Sequence, residues 1–154
     1  MSRTPDVDLE AAHRHFAAHC FDAAWELMEK AGRTPDEDRA MMALCQASIY
    51  HWTQRPDCAP QNLSVGYWQA SRIAVLLGWP DEARRHAEAS LAYAAGLAPF
   101  FLGYAHEALA RAARLAADTP TARAQLAMAR AYAGQVTDPE ERELLERDLA
   151  DLQS

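Results

Sequence analysis

A chain of 154 residues is most simply one domain, long enough to bury a core of its own. Half the residues are hydrophobic, Ala is the commonest residue, and Ile and Val are scarce. That balance points to an all-α protein and away from any substantial sheet. The net charge of −7, with Lys30 the single lysine among 15 basic residues, argues against a nucleic-acid partner, whose phosphates call for a basic stripe.

Seven prolines punctuate the chain. Pro5, Pro35, Pro60, Pro80, Pro99, Pro120 and Pro139 each precede an Ala-rich or Leu-rich run. Proline suits the first turn of a helix, where its missing N–H is no loss and its fixed φ is already helical. About seven antiparallel helices are therefore expected. From Pro60 onward the markers recur every 19 to 21 residues, about one helix plus a turn.

The first helix is expected from Pro5 to Ala31, capped by Thr4 and ended by Gly32. Its stripe would be Leu9, Phe16, Cys20, Ala24, Leu27 and Ala31, widened by Phe21, Trp25 and Met28, with room for a break near Asp22. The second has the clearest start: Thr34 as N-cap, Pro35 first in the helix, and Glu37 completing a capping box. Met41, Leu44, Cys45, Ser48 and Trp52 share its inner face, and Arg55-Pro56-Asp57 ends it.

The third helix spans about Pro60 to Leu77, with Gly78 closing it. Leu63, Tyr67, Ala70, Ala74 and Leu77 form one stripe, and Trp68, Val75 and Leu76 a second. A helix apolar on two faces is sandwiched between neighbours, so this one is expected to be central. The fourth runs from Pro80 to about Ala95, the fifth from Pro99 to about Ala117. The sixth starts at Thr119-Pro120 and ends at Gly134; the seventh runs from Pro139 to near Leu152 as a terminal cap. The single domain thus divides into an irregular N-terminal helix pair (1–58), repeat-like hairpins (59–134) and a capping helix (135–154).

Tyr67 to Leu91 resembles a tetratricopeptide repeat. Tyr67 takes the large aromatic place, Ala70, Ser71 and Ala74 the small places, and Gly78 the turn glycine. Ala83, Ala87, Ser90 and Leu91 take the small and closing places of the partner helix. Phe101 to Ala133 resembles a second, degenerate repeat, with Tyr104, Ala108, Ala112, Ala122 and Ala129; Asp118 and Thr119 stand where the turn glycine would be. The whole chain is similar to small bacterial tetratricopeptide-like proteins. The resemblance implies a helical-hairpin array but no catalytic residues, because fold alone does not fix function.

Cys20, Cys45 and Cys58 are odd in number and lack metal-ligand spacing, which fits reduced thiols in a cytoplasmic protein. The polar N-terminus does not read as a signal peptide, and no apolar run reaches the roughly 20 residues of a membrane span. His15-x-x-x-His19 puts two imidazoles on one helix face, but no third ligand is specified, so no metal or other cofactor is expected. His51 and Trp52 end the second helix, either as a capping contact and core residue or as the lip of a cavity.

Arg72 lies among apolar residues of the central helix and needs a partner, for which Glu107 is the candidate; Glu107 is also four residues from Arg111. Arg72, His86, Glu107 and Arg111 are expected to converge, either as a structural ion-pair network or as the polar floor of a groove walled by Trp52, Tyr67, Trp68 and Tyr104. The leading expectation is a module binding a peptide or protein through this concave aromatic and Arg-bearing face, with a homodimer through Phe21/Trp25/Met28 or Phe100/Phe101. The alternative is a small helical enzyme or ligand sensor with a pocket around Arg72, His86 and Glu107.

Overall fold

The computed structural model describes residues 5–153. Among them are seven α-helices and no strand: α1 (Leu9–Glu29), α2 (Pro35–Thr53), α3 (Pro60–Leu76), α4 (Pro80–Ala94), α5 (Pro99–Leu115), α6 (Thr119–Ala133) and α7 (Pro139–Ala150). No helix is long and apolar enough to cross a membrane among the described residues. Six of the seven prolines stand in the first turn of a helix. Pro5 does not. α1 starts later because Asp8, whose side chain accepts from the Ala11 N–H at 3.1 Å, is a stronger cap than a proline is an opener. The cap assigned to Thr4 lies outside the described residues.

The chain divides into two compact units, 1–58 and 59–154. In the first, α1 packs on α2. Thr34 and Glu37 form the expected capping box, each side chain bonding the other's backbone N–H at 3.2 and 3.1 Å. The buried seam is Ala17, Cys20 and Ala24 against Met41, Cys45, Ser48 and Ile49. The stripe expected on α1 needs correction: Leu9 is 66% and Phe16 42% exposed, and Ala31 lies in the turn beyond the helix. Small Ala17 replaces them because it allows the Ser48 hydroxyl to reach its carbonyl at 2.7 Å. α1 is unbroken through Asp22.

In the second unit α3 packs against both α4 and α5, α4 against α5, α5 against α6 and α7, and α6 against α7. α3 is thus flanked on two sides, as its two stripes require. Alanines let these helices approach closely: Ala70 and Ala74 of α3, Ala83, Ala87 and Ala94 of α4, and Ala105, Ala108 and Ala112 of α5 are all buried. Serines stitch the α3–α4 seam. Ser64 and Ser90 each donate to the other's carbonyl, at 2.9 and 2.8 Å, and Ser71 donates to the Ala83 carbonyl at 2.8 Å. Each such buried bond contributes about 1 kcal/mol. A second cluster unites Ala129, Ala133, Val136, Leu145 and Leu149, with Phe100, Tyr104 and Leu126 packed on it.

Two of the turns are alike. α3 ends with Gly78 N–H donating to Val75 O at 3.1 Å and Trp79 N–H to Ala74 O at 2.9 Å. α5 ends with Ala117 N–H donating to Arg114 O at 3.1 Å and Asp118 N–H to Ala113 O at 2.9 Å. Both are Schellman closures with a left-handed residue after the cap, φ +76° at Gly78 and +58° at Ala117. Alanine here occupies a backbone region that glycine tolerates better. Asp118 then caps α6 by accepting from Thr121 N–H at 3.2 Å, so Thr119 lies inside that helix rather than before it.

Candidate functional site

The polar cluster of the second unit is built on α3, α5 and α7. Trp68 and Arg72 are four residues apart and so share one face of α3. Glu107 and Arg111 repeat that spacing on α5, with Tyr104 one turn earlier. Asp148 stands between the buried Leu145 and Leu149 of α7.

Glu107 is the centre, fully buried at 0% exposure. Its Oε2 accepts from the Trp68 indole N–H at 2.9 Å. Its Oε1 accepts from Arg72 at 3.4 Å and from Arg111. Arg111 also donates to the Asp148 carbonyl at 3.1 Å, and the Tyr104 hydroxyl donates to the Asp148 carboxylate at 2.7 Å. The Trp68 and Tyr104 rings meet edge to face at 5.4 Å, and the Arg72 guanidinium lies 5.7 Å over the Trp68 ring. Burial, and then the bond to Asp148, push the Tyr104 phenol well above its ordinary range, so it stays protonated as a donor.

A buried carboxylate is tolerated only when charge and hydrogen bonds compensate it, and both are present here. The same bonds leave Glu107 unsuited to proton abstraction, since both oxygens are engaged. What the cluster supplies is a rigid face. Trp68 and Arg72 are half-buried, locked from below by Glu107, and continued along α3 by half-buried Val75 and exposed Leu76.

Of the four residues expected to converge, Arg72, Glu107 and Arg111 meet, whereas His86 does not join them. His86 stacks on Tyr67 with centroids 6.1 Å apart and lies 3.8 Å from Glu82. Tyr67 in turn stacks on Tyr93 at 5.7 Å. The reason is helical geometry: Tyr67 and Trp68 are neighbours in sequence and point about 100° apart, so one meets α4 and the other α5. Burial, and then the nearby Arg85, hold the His86 pKa below its ordinary value.

His51 and Trp52 belong to the first unit. The two ring Nδ1 atoms of His13 and His51 are 2.8 Å apart, one donating to the other. Phe16 packs on His51 at 5.5 Å. Burial, and then the His13 charge, depress the His51 pKa. Arg55 stacks 3.9 Å over the Trp52 ring and grips Asp57 with two bonds of 2.9 and 2.7 Å. That grip holds the Asp57 carboxyl down at about 2. Trp52 is therefore half-covered by its own loop. His15 and His19 stack at 5.3 Å, and no group of three potential metal ligands forms among the described residues. Cys20 and Cys45 are buried and Cys58 half-buried, and no disulfide joins them. Burial raises all three pKa values, Cys45 to about 12, the opposite of what a nucleophile needs.

Two polar residues escape a sequence reading. Asp148 completes the cluster; its place between Leu145 and Leu149 was the available signal, since that spacing puts it beside the core. His106 is buried, bonds Gln125 at 2.7 Å and stacks on Tyr132 at 5.5 Å. Nothing in its neighbourhood of alanines marks it out. Compared with known proteins, the chain matches no family model, no curated sequence and no solved structure.

Proposed function

We propose that the chain is a tetratricopeptide-like binding module of the cytoplasm that takes a peptide segment of a partner protein on the Trp68/Arg72 face. The observation that carries the reading is the pairing of one buried carboxylate with two guanidiniums. Glu107 fixes Trp68, Arg72 and Arg111 in place while cancelling only one of the two positive charges. A preorganised indole beside a partly exposed guanidinium suits a segment that carries an acidic side chain next to apolar ones. Val75 and Leu76 extend the apolar part. The alternation of contacts among α3, α5 and α7 supports an extended face, the surface that helical-hairpin modules use for recognition.

Selection of a random peptide library on the intact protein tests this. The expected result is a consensus with an acidic residue flanked by apolar ones, whose binding falls by roughly tenfold or more in R72M. Selected peptides that bind R72M as they bind the wild type, with only thermal stability altered, would mark the cluster as purely structural. Self-association through the half-buried Phe21, Trp25 and Met28 is the second part of the proposal, and sedimentation giving a strict monomer at high micromolar concentration would remove it.

A further inference from the structure

A separate concavity of the second unit is built from other residues. It encloses about 550 Å3 between α5, α6 and the segment after α7, within the range of pockets that hold small organic ligands. Arg114 of α5 and Arg123 and Arg130 of α6 line it, with Ala122, Leu126 and Leu152 among them. Arg123, Leu126 and Arg130 follow at steps of three and four, so they share one face of α6, the two arginines about 10 Å apart along the axis.

The charges at this wall differ from those elsewhere in the molecule. Among the described residues, Lys30 and every other arginine have a carboxylate oxygen within 4.0 Å. Arg114, Arg123 and Arg130 are the three that have none from a described residue. Arg114 donates to the main-chain carbonyl of Asp151 at 3.0 Å, and Arg123 and Arg130 are exposed. A chain of net charge −7 is not short of carboxylates. Three like charges collected around one concavity repel each other, and an anion in that concavity relieves the repulsion.

The lining restricts what the anion is. A single carboxylate offsets one of three charges. A phosphate group carries about −1.5 to −2 at neutral pH, and its oxygens fit the guanidinium fork. No aromatic ring lines the cavity, so it offers no platform for a nucleobase; its apolar part is aliphatic. We propose that this cavity is a binding site for a small organic diphosphate, with the phosphates on Arg114, Arg123 and Arg130 and a short aliphatic chain on Ala122, Leu126 and Leu152. None of these residues belongs to the Glu107 cluster, so the site stands or falls apart from the peptide-binding reading.

Titration calorimetry of the full chain with inorganic pyrophosphate and with pentyl diphosphate tests it. Both are expected to bind, the pentyl compound about tenfold tighter because its chain leaves water. The double variant R123Q/R130Q is expected to lose at least roughly tenfold for both probes while melting normally, since both side chains are exposed and neither has a carboxylate partner among the described residues. R123K/R130K keeps the charge and loses the fork, and an intermediate affinity is expected. Binding undetectable at concentrations on the order of 10 mM overturns the proposal. So does equal binding by the wild type and the Lys variant, which would mean diffuse charge attraction rather than a site. A phosphoserine peptide bound more tightly than pentyl diphosphate overturns the small-molecule assignment.

Discussion

The turn after α5 carries a strain that its twin after α3 avoids, and exchanging the two residues measures it. Ala117 sits at φ +58° and Gly78 at +76°, each within the same pair of closing hydrogen bonds. An L-residue in the left-handed region costs roughly 1–2 kcal/mol. Glycine's greater freedom in the unfolded chain offsets about 0.4–1 kcal/mol of what Ala117→Gly would recover. At the middle of both ranges the net gain is about 0.8 kcal/mol. In a unit of about a hundred residues, one kcal/mol moves the melting temperature by about 4–8 °C, so A117G is expected to melt about 3–6 °C higher. Gly78→Ala is the mirror experiment. A Cβ at Gly78 would meet nothing within 4 Å, so any loss there is backbone strain and not a clash. It is expected to lower the melting temperature by a similar amount. Thermal unfolding followed by circular dichroism at low protein concentration reads both. If A117G melts no higher than the wild type while G78A melts no lower, the left-handed closure is not what limits these turns, and the reasoning fails.

Glu107→Gln keeps the shape of the side chain but leaves Arg72 and Arg111 without their shared counter-charge; a loss of about 2–3 kcal/mol in unfolding free energy is expected from urea titration, below the full cost of an orphaned buried charge because both guanidiniums can partly rehydrate. Gly103→Ala would place a Cβ 2.5 Å from the Cδ2 of Leu145, which is fully buried and has little room to move. Overpacking of about 1–3 kcal/mol against a helix-propensity gain of about 1 predicts a net loss near 1 kcal/mol, and a stabilised variant would show that α7 can slide on α5. The folded pKa of His51 is depressed, so the neutral ring is the form that the fold favours. Stability from this group is present above the ordinary value of about 6.5 and is lost as pH falls through the folded value. NMR titration of the His51 ring should give a midpoint below that in urea, and a midpoint equal to it would refute the His13–His51 contact. Cys45, buried and raised to about 12, is expected to resist alkylation by iodoacetamide at pH 8 until the protein unfolds.

The amino-acid sequence by itself determined the helices, because their signals are local. A proline in the first turn, a Thr34–Glu37 box or a Gly78 closure acts within four or five residues of chain, where nothing distant can override it. The Arg72–Glu107–Arg111 association was legible for a similar reason: an arginine among apolar neighbours must be paired, and few carboxylates fall on inward faces. Where local signals competed, the stronger one set the structure. Pro5 yielded to Asp8, and the large apolar Leu9 and Phe16 yielded to small Ala17. Tertiary structure alone decided the rest. Tyr67 and Trp68 went to different neighbours, taking His86 away from Glu107, because a one-residue step on a helix is a turn of about 100°. Asp148 joined the cluster across 44 residues from Tyr104. Arg114, Arg123 and Arg130 are ordinary surface arginines until α5, α6 and the segment after α7 set them around one cavity with no carboxylate among the described residues to answer them. Charge imbalance of that kind is a property of positions in space, and a linear sequence, in which acids outnumber bases, conceals it.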